Sequence, residues 1–73
     1  MAAPIHEDSI EIPDGVRVIF HTKHPYVAIT VKVFLNGQLL RDDEFILLGA
    51  KRVQMVHVPL TGDRLTFFYV PAI

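Results

Sequence analysis

Val31-Lys32-Val33-Phe34-Leu35-Asn36-Gly37 reads as a β-strand running into a two-residue turn. Asn-Gly between alternating segments is the strongest short-range hairpin signal, because both central residues of that turn need a positive φ. The strand before it spans residues 27–35, with Ile29, Val31, Val33 and Leu35 on one face and Ala28, Thr30, Lys32 and Phe34 on the other. Residues 38–41 return from the turn. Residues 64–70 alternate in the same way, with Leu65, Phe67 and Tyr69 opposite Arg64, Thr66, Phe68 and Val70.

Moving outward, shorter strands are expected at 9–12, 16–20, 45–48 and 52–58. They are separated by Pro13-Asp14-Gly15, a polar break at 21–25, the charged corner Asp42-Asp43-Glu44, Gly49-Ala50-Lys51 and a loop at 59–63. No window has a 3.6-residue apolar period bounded by helix caps. Short strands at regular spacing predict an all-β fold, a small antiparallel β-sandwich or partly open barrel, over residues 9–73. Residues 1–8 carry little pattern and are expected to be an N-terminal arm.

Composition narrows the function classes. The chain has 73 residues, 51% hydrophobic and 21% charged, which fits one globular domain. A domain of this size buries only about 60% of the surface its unfolded chain exposes. Such folds commonly rely on disulfides, metals or partner subunits. With no cysteine, disulfides, thiolate metal sites and cysteine nucleophiles are excluded. Seven Lys and Arg against eight Asp and Glu leave no basic excess to hold nucleic acid. No apolar run approaches the roughly 20 residues that span a bilayer, so no membrane role is expected. The first eight residues lack a cationic stretch followed by an apolar one, so no signal peptide is expected and synthesis is placed in a cytoplasm.

The search for chemistry yields no catalytic, cofactor or metal residues. His21 and His24 have no third ligand nearby, and His6-Glu7-Asp8 lies on the expected arm. Asp42-Asp43-Glu44 lacks the oxygen spacing of a calcium loop. Ser9 is the sole serine and has no nucleophile-elbow context. An enzyme is therefore not expected, and no cofactor is.

The strand faces are more informative. With Val18, Phe20, Val31, Val33, Val53, Met55, Phe67 and Tyr69 as core, Ile19, Phe34, Val56, Val58, Phe68 and Val70 point the other way. Loops or the arm could cover them; burial against another subunit would also relieve the small-core problem. Phe67-Phe68-Tyr69-Val70, aromatic and uncharged, would be an aggregation hazard as a free edge. Ile19, Phe34, Val56, Phe68 and Val70 are the expected interface residues of a homo-oligomer. The arm is expected to reach a neighbouring subunit, so that its deletion weakens assembly more than folding.

The stretch from Asp14 to Tyr69 resembles a small β-module of tailed-bacteriophage virion proteins, found in tail, neck and head-fibre components. Gly15 and Phe20 match its Gly-led first strand, and Val31-Lys32-Val33-Phe34-Leu35-Asn36-Gly37 matches its Val-rich strand and hairpin. Asp43-Glu44-Phe45 stands in for its "d-[yf]" step with one residue inserted. Pro59-Leu60-Thr61-Gly62-Asp63 matches "P-x-x-G-D", and Arg64 to Tyr69 supplies the last strand. Lys51-Arg52 departs from the small polar residues often found there. The resemblance implies a structural virion subunit with no catalytic residues, partnered by itself and by other virion proteins. One module alone looks more like a decoration, collar or neck subunit than a receptor-binding fibre. The alternative is a monomeric protein- or carbohydrate-binding module, for which only Tyr26 and Tyr69 offer polar-tipped rings.

Overall fold

The computed structural model describes residues 3–72, in which period-two alternation produces seven strands. They are β1 (Ile5–Asp8), β2 (Ile19–His21), β3 (Lys32–Leu35), β4 (Gln38–Leu39), β5 (Phe45–Gly49), β6 (Arg52–Met55) and β7 (Leu65–Tyr69). One sheet has the order β1-β7-β3-β4 and the other β2-β6-β5, with every pairing antiparallel. Two separate sheets make the all-β fold a small sandwich rather than a barrel.

The core lies between the sheets. Val33, Leu65, Phe67 and Tyr69 enter it from one sheet, and Phe20, Phe45, Val53 and Met55 from the other. Each side chain of this size contributes roughly 1.5–3 kcal/mol on full burial. Val18, expected in the core, is half-buried just before β2.

Asn36 and Gly37 have φ of 53° and 84°, the doubly positive pair that a tight hairpin between β3 and β4 requires. Asn36 also anchors this tip. Its side-chain oxygen accepts from the Arg64 N–H at 2.8 Å, and its amide donates to Asp63 at 3.0 Å.

Local hydrogen bonding overrides alternation in three places. Residues 27–30 do not extend β3: Ala28–Thr30 form a single 3₁₀ turn, and Ile29 faces solvent. Thr30 drives this, since its N–H and hydroxyl both donate to the Val27 carbonyl. Residues 9–12 form no strand, because the chain steps between sheets there: the Ser9 N–H bonds Leu65 and the Ile10 N–H bonds His21. The strand expected at 16–20 begins only at Ile19, since the Asp14 carboxylate accepts from the Val16 and Arg17 N–H groups and holds a turn.

The expected arm is also corrected. Residues 1–2 lie outside the described residues, but Ile5–Asp8 is a strand paired with β7 along its whole length. Glu7 explains why: its carboxylate accepts from the Tyr69 hydroxyl at 3.1 Å and the Lys23 N–H at 2.8 Å, so a charged residue sits inward yet satisfied. Deleting residues 1–8 is therefore expected to cost folding stability, by roughly 3–5 kcal/mol from lost ladder bonds and Ile5 burial. Urea denaturation of the truncated chain checks this, and an unchanged midpoint would contradict the pairing.

Candidate assembly surfaces

Antiparallel register decides which outward side chains become neighbours. Across the four-stranded sheet, His6, Phe68 and Lys32 form one outer row. Asp8, Thr66, Phe34 and Leu39 form the next. The His6 ring lies 5.6 Å from Phe34 and 6.2 Å from Phe68, the latter edge-on, so three rings share the middle of this face. Phe68 is 36% exposed and Leu39 58%. Asp8 pairs with Arg64 at 2.9 Å beside them. The face therefore has aromatic rings at its centre, with Lys32 and the Asp8–Arg64 pair beside them.

The outer face of the three-stranded sheet also mixes apolar and polar side chains. Ile19, Gln54 and Ile46 form one row, and His21 and Arg52 the next. Val56 follows β6 and is exposed, its N–H bonded to the Glu44 carbonyl. Glu11 fixes the His21 ring from the flank and also accepts from the His21 N–H at 2.8 Å.

The five expected interface residues therefore do not share one face. Phe34 and Phe68 lie together on the outside of the four-stranded sheet. Ile19 and Val56 lie on the opposite side of the sandwich. Val70 is half-buried beyond β7, where its N–H bonds the Thr30 hydroxyl and its carbonyl accepts from Val27. Alternation separates inward from outward positions but does not say which sheet a strand joins. His6, Leu39 and Ile46 were missed by sequence reasoning. The Asn36-Gly37 register, which puts Leu39 opposite Phe34, was the available signal for Leu39.

Other polar clusters have local structural roles. Asp42–Glu44 form a 3₁₀ turn in which the Glu44 carboxylate accepts from the Arg41 N–H at 2.7 Å. Thr22 is fully buried, its hydroxyl donating to the His24 carbonyl at 2.6 Å. Among the described residues, no three His, Asp or Glu side chains gather as a metal site.

Three carboxyls are held below their ordinary range. Partial burial acts to raise Glu11, but the hydrogen bonds from the His21 backbone and ring outweigh it. Asp63 is lowered by the Asn36 amide and the Leu60 N–H, and Asp14 by the Arg17 and Val16 N–H groups. A depressed folded-state pKa gives stability that is present at neutral pH and is lost as pH falls through the folded value. The urea midpoint should accordingly drop below about pH 4, where carboxylates ordinarily protonate. Glu11→Gln should flatten part of that acid limb. An identical pH profile in the variant would contradict the role of Glu11.

Compared with protein-family models, curated proteins and solved structures, the chain matches none of them.

Proposed function

We propose that this chain is a structural subunit of a bacteriophage virion, assembled as a homo-oligomer through apolar sheet surfaces and edges. The observation that carries the assembly reading is the outer face of the four-stranded sheet, where His6, Phe34, Leu39 and Phe68 adjoin with charges beside them. Contiguous apolar patches on a small soluble domain mark interaction sites. The phage context rests on the order and spacing of motifs from Asp14 to Tyr69. Within the virion, a neck, collar, tail or capsid-decoration position suits a single small module, with other virion proteins as further partners.

The carbohydrate-binding alternative loses its sequence basis. Tyr26 and Tyr69 are buried, packed edge-on against each other with ring centres 6.5 Å apart. The Tyr26 hydroxyl bonds Arg52 and Gly49, and the Tyr69 hydroxyl bonds Glu7 and His24, so neither ring offers a face to a sugar.

Negative-stain microscopy of concentrated protein tests the proposal. Closed rings or regular filaments are expected, because repeated heterologous contacts generate one or the other. A field of dispersed monomers would count against it.

A further inference from the structure

We infer that β5 is an edge-pairing site for a second copy of this chain, joining two three-stranded sheets into one six-stranded sheet. The inference rests on the homo-oligomer reading and names one two-fold contact within it, alongside contacts through the four-stranded face.

Of the sandwich's four edges, three are blunted. β1 carries Glu7 and Asp8 and follows Pro4; β4 has only two residues. β2 is covered, since the His21 carbonyl accepts from the Ile10 N–H and the His21 N–H donates to Glu11. Charges, shortness and covering are the usual protections of an edge. β5 reads Phe45-Ile46-Leu47-Leu48-Gly49, with no charge and no proline. A cleft of about 340 Å³ opens beside it, lined by Ile29, Val31, Phe45 and Leu47, with Lys32 and Asp42 also on its wall.

Register identifies the free backbone groups. The Val56 N–H bonds the Glu44 carbonyl, which makes Glu44/Val56 a hydrogen-bonded pair and, two residues on, Ile46/Gln54 another. The N–H and C=O groups of Phe45 and Leu47 therefore point away from β6. Among the described residues they have no backbone partner across the edge. A bulge between Leu47 and Gly49 ends the flat segment there.

These groups are self-complementary. With a two-fold axis through Ile46 and antiparallel strands, Phe45 of one copy faces Leu47 of the other. Each pair exchanges two N–H···O=C bonds, and all the free groups are used. Ile46 then lies opposite its own copy in a non-hydrogen-bonded pair, the closer of the two side-chain spacings. Its side chain is 48% exposed on the outer face, so changing it leaves the core of one copy intact.

A charge swap at Ile46 tests this. Ile46→Lys and Ile46→Asp each put like charges opposite one another on the axis, so each alone should weaken association at least tenfold in sedimentation equilibrium. Mixed one to one, they should recover it as a heterodimer, with circular dichroism unchanged throughout. Slowed amide exchange at Phe45 and Leu47 in the concentrated wild type is the second expected result. Wild-type oligomers indifferent to either charge, with fast exchange at both amides, would overturn edge pairing alone. Wild-type protein monomeric at every concentration would overturn the homo-oligomer reading along with it.

Discussion

Phe67→Ala should remove most of the folding stability and leave the chain at the margin of unfolding at room temperature. Phe67 is fully buried at the centre of β7, opposite Val33 on one side and Glu7 on the other. Truncating such a ring removes its transfer energy and leaves a cavity, at roughly 3–5 kcal/mol. Small domains begin with about 5 kcal/mol at the low end of the natural range, so this loss consumes most of it. A urea titration followed by circular dichroism would register a midpoint shifted to little or no urea, with a short folded baseline. A cooperative transition near the wild-type midpoint would show that the core is not centred on β7.

Phe68→Asp, one residue further along, should act on the other property. Phe68 points out of the same strand, beside His6 and opposite Lys32. The new carboxylate would sit in solvent next to Lys32 in a single copy, with folding stability within about 1 kcal/mol of wild type, as for most surface changes. Buried in an assembly it would be an unpaired charge at the centre of an apolar contact, which typically costs several kcal/mol. Association should therefore fall by a factor of a hundred or more while the spectrum of a single copy is retained. Unfolding of this variant would place Phe68 in the core; unchanged assembly would move the contact off this sheet.

This contrast between neighbouring phenylalanines was legible in the sequence, because a pleated strand sends Phe67 and Phe68 to opposite faces whatever its surroundings. The Asn36-Gly37 hairpin was legible for an equally local reason, the φ that its two residues tolerate. Less local features were hidden. Ile5-His6-Glu7-Asp8 looks polar, and only the Tyr69 hydroxyl and Lys23 N–H, distant in sequence, make Glu7 acceptable inside. Tyr26 reads as a surface ring, yet its hydroxyl donates to the Arg52 carbonyl and accepts from the Gly49 N–H, which holds the ring inside. Ile29 fits the alternation of β3, but the Thr30 side chain turns the backbone and leaves it outside. Opposite placement of Phe34 and Phe68 from Ile19 and Val56 follows from strand order, which alternation within single strands does not encode.

One surface and one edge then have separable consequences for assembly. Contact through the four-stranded face would be sensitive to Phe68 and Phe34. Contact through β5 would be sensitive to Ile46 and indifferent to Phe68 and Phe34. An assembly using both would grow beyond a dimer, because the edge closes on itself around a two-fold axis while the face remains free for a further copy.

The central claim, that the chain works as a multi-copy assembly, is tested most directly by light scattering of the wild type across a dilution series. The expected result is a mass that is a multiple of the 8.3 kDa chain and falls on dilution, with Phe68→Asp shifted toward the single-chain mass at every concentration. A constant 8.3 kDa for the wild type would contradict it and would make the single copy the working unit.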